Sequence, residues 1–255
     1  MKIAFFDSGV GGLTVLYDAM QKLPHEQYIY YADTDNVPYG TKTKKQIIKY
    51  VDKAVEFIVE MEPKALVIAC NTATSVVIKR LRDQYDFPII GMEPAIKPAI
   101  LANPDKKVLL CATKRTIKEK KLQDLIDKLD AHNKVKKLAL QKLVKFSEAG
   151  HFDTIEVESY LNNKFNNIDW DQYATLVLGC THFLYFKELI SNIIPDHVEI
   201  MDGNEGTVNR LIDLVEKNEE TNNAGLRFFA SGEEVEFSWF ESYLKLYAQI
   251  RDREL

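Results

Sequence analysis

The chain alternates short apolar runs with longer stretches in which apolar residues recur every three or four positions. The short runs are Lys2–Phe6, Tyr28–Ala32, Ala65–Ala69, Pro88–Gly91, Val108–Cys111, Val135–Ala139, Thr175–Leu178 and Glu199–Met201. Each has the length of a strand, and several are apolar throughout, as strands covered on both faces are. The clearest helical stretch is Lys44–Met61, where Ile47, Ile48, Val51, Ala54, Val55, Ile58 and Val59 form one stripe. Thr116–Leu129 and Thr207–Val215 follow the same period. Strands alternating with helices predict an α/β fold with mostly parallel sheets. The Asn-rich patches at 162–167 and 218–223 read as surface turns.

The pattern repeats. Lys2-Ile-Ala-Phe-Phe-Asp-Ser8 aligns with Lys107-Val-Leu-Leu-Cys-Ala-Thr113, and LVIACNT at 66–72 aligns with LVLGCTH at 176–182. The two matches keep their order and nearly the same spacing, which predicts two similar, pseudo-symmetric α/β halves of ordinary domain size. Buried strands resemble one another, so a chance likeness stays open at this point. Ligands of α/β sheets sit beyond the carboxyl ends of strands. Under the repeat, Asp7, Ser8, Cys70, Thr113 and Cys180 all lie at such ends, and two facing halves would line one cleft.

Composition narrows the class. The 255 residues carry a formal net charge of −5, with 46% hydrophobic and 28% charged residues. An acidic balance gives no footprint for nucleic acid, and KRTIKEKK at 114–121 reads as a solvated helix face. No run approaches the ~18–20 apolar residues of a membrane span. The opening MKIAFFDSG is interrupted by Asp7 too soon for a signal peptide and reads as a first strand. Three cysteines cannot all pair, and free thiols suit a reducing cytoplasm. No metal is expected, because no two histidines or cysteines have ligand spacing. His25, His132 and His197 read as surface residues and His151 as a loop residue near Glu148.

The glycine loop DSGVGGLT at 7–14 follows a strand and precedes a helix, so its N–H groups could hold an anion. As a dinucleotide fingerprint it is degenerate: Thr14 stands at the third glycine, and Asp7 would repel a pyrophosphate, although Asp33 supplies an acid further on. The loop reads better as a holder for a small carboxylate or amine with Ser8, or as a plain strand–turn–helix. PYG at 38–40 is a turn whose Tyr39 either packs or faces the cleft.

Cys70-Asn71-Thr72 opens a helical stretch, with Thr72 and Thr74 as candidate caps. A thiol at a helix N-terminus is expected to be shifted toward thiolate. Cys180-Thr181-His182 repeats the arrangement and adds an imidazole. Either cysteine alone reads first as a small buried hydrophobe, and Cys180 with His182 could also form a nucleophile pair. Together they fit another chemistry. Inverting a stereocentre means taking a proton from one face and returning one to the other, and a tuned thiol can do both. Cys111, inside a strand, reads as structural.

These residues resemble the glutamate racemases of the aspartate/glutamate racemase superfamily. The resemblance rests on DSGVGGLTV at 7–15, YYADTDNVPYGTK at 30–42, ACNTATS at 69–75, LGCTHF at 178–183 and FFASG at 228–232. It implies a cofactor-independent enzyme that interconverts L- and D-glutamate and supplies the D-isomer for peptidoglycan. It implies two α/β domains with the site between them, residues 1–95 plus 206–255 forming the first and 96–205 the second. By that likeness Cys70 deprotonates D-glutamate with help from Asp7, and Cys180 deprotonates L-glutamate with help from His182. Asp7, Ser8, Pro38, Tyr39, Gly40, Asn71, Thr72, Thr113, Thr116, Thr181 and His182 match substrate contacts, and the family suggests a homodimer. Aspartate racemases typically carry Glu where His182 stands, which favours glutamate. The likeness weakens over 115–170. The family's Cys-Pro-rich stretch reads LALQKLVKFSE here, with Leu140 at the cysteine, and Glu119 and Leu122 replace a Ser and a Tyr. Glu148 aligns with the acid that would polarise His182. A racemase of another amino acid, or a binding relative without turnover, stays open beside the main reading.

Overall fold

The computed structural model describes residues 2–129, 133–217 and 225–253. His132 and the whole of the Asn-rich patch at 218–223 lie outside them. Among the described residues ten strands form two sheets. The first takes β1 (Lys2–Asp7), β2 (Gln27–Ala32), β3 (Pro63–Ile68), β4 (Ile89–Gly91), β9 (Gly225–Ala230) and β10 (Glu233–Val235), in the order β10-β9-β2-β1-β3-β4. The second takes β5 (Lys107–Ala112), β6 (Val135–Ala139), β7 (Tyr173–Gly179) and β8 (Glu199–Asp202), in the order β6-β5-β7-β8. Every pairing is parallel except β9 with β10. The mostly parallel α/β expectation therefore holds.

The predicted repeat is visible in topology. The order β2-β1-β3-β4 in the first sheet is that of β6-β5-β7-β8 in the second. Even the register irregularity recurs, between Lys2 and Ile3 where β1 meets β3 and between Lys107 and Val108 where β5 meets β7. Cys70 follows β3 and Cys180 follows β7, so the two thiols leave equivalent strands.

Helices cover both sheets: α1 (Leu13–Lys22), α2 (Lys44–Val59), α3 (Asn71–Gln84), α4 (Ile96–Ala102), α5 (Lys114–Lys118), α6 (Lys120–Lys128), α7 (Gln141–Glu148), α8 (Ile155–Phe165), α9 (Lys187–Ile193), α10 (Asn204–Leu214) and α11 (Ser238–Asp252). The start of α2 is set by a capping box, with Thr43 accepting from Gln46 N and the Gln46 side chain accepting from Thr43 N. Its stripe of Ile47, Val51, Ala54, Val55 and Ile58 is buried against the first sheet. Asn204 and Tyr247 donate to Asp18 Oδ2 at 2.9 Å each, tying α10 and α11 to α1.

Two expectations need correction. The stretch from Thr116 to Leu129 is two helices, because Glu119 takes an extended conformation between α5 and α6. The patch at 162–167 is helical through Phe165, since Leu161 and Phe165 anchor α8 to the core. Strands β9 and β10 escape the pattern: β9 lies between β10 and β2 but is buried only over Phe228–Ala230, and β10 is a three-residue edge strand with Glu233 and Glu234 exposed. One hydrophobic cluster includes Phe5 and Tyr30 of the first sheet with Leu109, Leu178 and Phe183 of the second half. Burying such side chains contributes about 1.5–3 kcal/mol apiece, so the two sheets share a core.

Candidate active site between the two sheets

The site lies at the carboxyl ends of β1, β3, β5 and β7. These strands end in Asp7-Ser8, Cys70, Thr113 and Cys180, the residues predicted from the repeat. Cys70 and Cys180 are 5% and 6% exposed, so each thiol is screened from bulk water yet not sealed. They are near enough that charge on Cys180 disfavours charge on Cys70.

Cys70 is itself the N-cap of α3. Its sulfur accepts from Ala73 N at 3.4 Å. Thr72 and Thr74, the expected caps, are used elsewhere. Thr74 donates to Ile68 O at 2.9 Å, and Thr72 Oγ1 lies 3.0 and 3.1 Å from the hydroxyls of Thr113 and Thr116. Cys70 donates to Ser8 Oγ at 3.5 Å. The helix terminus does not make it a thiolate. Burial and the neighbouring Asp7 push its proton affinity well up, outweighing the Ser8 and Ala73 hydrogen bonds.

Asp7 is fully buried. It accepts from Gly9 N at 3.0 Å and from Thr181 Oγ1 at 3.1 Å, and the Ser8 hydroxyl lies 3.5 Å from Oδ1. Burial raises its carboxyl to about 6, with His182 pulling the other way.

On the opposite side, His182 stands between Cys180 and Glu148. Its Nδ1 is 3.9 Å from Cys180 Sγ and its Nε2 is 2.5 Å from Glu148 Oε1. Burial works against a charged imidazole, but the hydrogen bonds and charges of Cys180 and Glu148 win. His182 is held protonated well above the ordinary histidine range. The residues from Thr181 to Phe186 form a 3₁₀ turn rather than an α-helix, and Cys180 caps nothing. The two thiols thus occupy equivalent strand ends in unlike settings. Cys70 faces a carboxyl and hydroxyls, and Cys180 faces an imidazolium.

The glycine loop is where the halves touch. Val10 N donates to Glu148 Oε1 at 2.9 Å and Gly9 N donates to Asp7, so two of the loop's N–H groups are engaged by carboxylates of the protein. A Cβ at Gly11 would lie 2.4 Å from His182 Nδ1 and 2.7 Å from its backbone nitrogen. The glycines permit close approach of the loop to the second half, and no dinucleotide signature remains, since Asp33 instead accepts from Tyr39 OH and Asn36. Pro38 follows a cis peptide bond, and Tyr39 is buried against Phe6. Gly40 abuts Thr113 and the Gln141 side chain.

Two buried amide nitrogens in this region have no partner: Asn71 Nδ2 and Gln141 Nε2. A buried donor without an acceptor costs about 1–3 kcal/mol, so both are suited to an incoming acceptor. Sequence reasoning named Asn71 and missed Gln141. The signal was present, since Gln141 falls in the stretch that departs from the family pattern. It also missed Tyr30 and Tyr185, which donate to Gly9 O at 2.7 Å and Val10 O at 2.8 Å. Arg115 is not part of a solvated face. It donates to Lys42 O from Nε and Nη2, joining α5 to the segment after Gly40. Cys111 is fully buried in β5 with no polar contact, as expected of a structural thiol. His151 and His197 are exposed, and His25 is partly buried. Among the described residues no group of His, Cys, Asp and Glu could hold a metal, and no helix is long and apolar enough to cross a membrane.

Comparison with known proteins gives concordant likenesses. The family model described as Asp/Glu/Hydantoin racemase matches residues 15–211. A glutamate racemase of Halothermothrix orenii is 48% identical over 254 residues, 98% of this chain and 100% of that protein. The crystal structure of glutamate racemase from Campylobacter jejuni is similar with a TM-score of 0.82 and 31% identity, covering 98% of each chain. That of Francisella tularensis, in complex with D-glutamate, has a TM-score of 0.80 and 26% identity, covering 97% of this chain and 93% of that one.

Proposed function

The chain belongs to the Asp/Glu/hydantoin racemase family, and from that premise we propose that it interconverts L- and D-glutamate with Cys70 and Cys180 as its two proton carriers. The observation that carries this reading is the pair of thiols at equivalent ends of β3 and β7, each with its own polar helper.

In the L-to-D direction, Cys180 as thiolate takes the α-proton. The electron pair left on Cα spreads into the α-carboxylate. The Cys70 thiol then gives its proton to the opposite face and becomes the thiolate. The D-to-L direction reverses each step. The two settings suit these parts. Burial and Asp7 keep the proton on Cys70, and protonated His182 supplies positive charge 3.9 Å from the Cys180 sulfur.

The α-proton is far less acidic than a thiol, so the carbanion-like transition state must be stabilised by fixed donors, each worth ~3 kcal/mol. Asn71 Nδ2 and the Thr72–Thr113–Thr116 hydroxyl cluster are such donors. Gln141 Nε2, against Gly40 and Thr113, suits the side-chain carboxylate. Asp7, ionised above about pH 6, suits the ammonium group. The reading includes action in the cytoplasm without pyridoxal phosphate, supply of D-glutamate to peptidoglycan, domains of 1–95 plus 206–255 and 96–205, and a homodimer.

Incubation with L-glutamate, without pyridoxal phosphate and followed by circular dichroism, tests the activity. Decay of the signal to zero is the expected result. Inversion of aspartate or another amino acid but not of glutamate, or binding without inversion, would overturn it.

A further inference from the structure

The Gly9–Val10 peptide group is gripped at both ends. Its carbonyl, that of Gly9, accepts from Tyr30 OH at 2.7 Å. Its N–H, that of Val10, donates to Glu148 Oε1 at 2.9 Å, the same oxygen that lies 2.5 Å from His182 Nε2. His182 Nδ1 is in turn 3.9 Å from Cys180 Sγ. One line of hydrogen bonds therefore runs from β2 in the first sheet to the thiol at the end of β7 in the second. Tyr30 is fully buried and holds its ring by edge contacts with Phe228 and Phe240, so its hydroxyl has a fixed aim. Glycine at position 9 permits this close approach, because a Cβ there would lie 1.8 Å from Glu148 Oε1 and force the two apart.

We propose that Tyr30 is a positioning residue for proton transfer at Cys180, acting through the Gly9–Val10 peptide and Glu148. Hydrogen bonds in series strengthen one another. A donor on the Gly9 carbonyl makes Val10 N–H a better donor to Glu148, and a fixed Glu148 carboxylate keeps His182 charged and turned toward Cys180. The inference rests on the reading of His182 as the helper of Cys180. It adds a control from the opposite half, so assembly of the two halves and readiness of Cys180 become one event. Tyr185, donating to Val10 O at 2.8 Å, steadies the next peptide.

The groups facing His182 are Glu148 from α7, Asp7 from β1 and Cys180 beside it. Tyr30, Tyr185 and, from α11, Tyr243 are close enough to Glu148 to feel its charge. Loss of the Val10 support loosens Glu148, so His182 gives up its proton at lower pH and the alkaline limb of the activity profile moves down.

The test compares Tyr30→Phe, Glu148→Gln and the double variant, with Tyr185→Phe as a second, milder probe of the same loop. Thermal melts and nitrogen-15 NMR of the imidazole of His182, assigned with His182→Gln, accompany the kinetics. Tyr30→Phe is expected to lower kcat roughly tenfold with little change in KM, to move the alkaline limb down, and to add nothing once Glu148 is Gln. A Tyr30→Phe enzyme with the original limb and imidazole titration, or one whose loss multiplies with that of Glu148→Gln, overturns the inference. Should Tyr30→Phe not fold, Tyr185→Phe decides by the same criteria. If Glu148→Gln leaves limb and titration unchanged, it is the underlying role of Glu148 and His182 that fails.

Discussion

The Thr181 hydroxyl donates to Asp7 Oδ2 at 3.1 Å, so the residue after one thiol orients the helper of the other. Asp7 accompanies Cys70 through Ser8, whereas Thr181 adjoins Cys180. On the proposed reading the two proton-transfer sets are thus joined directly and not only through a substrate. A bond to a buried carboxylate is worth about 1–3 kcal/mol. Thr181→Val is therefore expected to slow racemisation by roughly ten- to a hundredfold. The signature lies in isotope effects. The α-deuterium effect should grow most when D-glutamate is the substrate, because the disturbed helper serves Cys70. An effect that grows only with L-glutamate would place Thr181 on the Cys180 side instead.

Asp7 makes stability and activity oppose each other. A carboxyl raised to about 6 by burial binds more protons when folded than when unfolded. Its contribution to stability is therefore full below about pH 4 and is lost as pH rises toward 6. At pH 7 the ionised group costs on the order of 3 kcal/mol. Asp7→Asn should raise the unfolding free energy in urea at pH 7 by on the order of 1–3 kcal/mol and change it little at pH 4, while racemisation falls sharply. Equal effects at both pH values would contradict the burial argument.

Gly11 tests the close approach of the loop to the second half. A Cβ there would meet His182 Nδ1, Thr181 Oγ1 and the His182 backbone at 2.4, 2.5 and 2.7 Å. Backbone cannot swing aside as a side chain can, and overpacking costs about 1–3 kcal/mol. Gly11→Ala should fold with a lowered melting temperature and lose at least about a hundredfold in kcat. Unchanged kcat would mean that His182 tolerates displacement.

Gln141 carries a prediction about binding. Its Nε2 is buried without a partner, while its Oε1 accepts from Lys114 N at 3.3 Å. Gln141→Leu removes the donor and is expected to raise KM for both enantiomers roughly tenfold, with kcat within about twofold. Loss confined to kcat would assign Gln141 to the chemistry.

Most of this site was legible in the sequence because strand ends are. An apolar run that stops at a polar or ionisable residue marks where a parallel strand leaves the sheet, and Asp7, Cys70, Thr113 and Cys180 all came from that rule, Thr113 through its alignment with Ser8. The repeat added their arrangement, since matched strands place matched residues. What escaped depends on contacts between residues far apart in sequence. Nothing local says that Val10 N–H meets Glu148 or that Tyr30 meets Gly9. The charge state of Cys70 was misread for a related reason. A helix N-terminus is visible in sequence, but complete burial beside Asp7 is not, and burial outweighs the helix. Glu148 was the least secure of the expected residues, because its surroundings depart from the family pattern. The structure nonetheless puts its carboxylate on His182.

The central claim is that Cys70 and Cys180 serve opposite faces of one α-carbon. The most direct measurement is the position of hydrogen early in the conversion of L-glutamate in heavy water. The D-glutamate first formed should carry deuterium at Cα, because its proton comes from Cys70 after exchange with solvent. Unconverted L-glutamate should keep its original hydrogen. D-glutamate that retains the substrate's own α-hydrogen, or L-glutamate that gains deuterium as fast as it inverts, would mean that one base serves both faces.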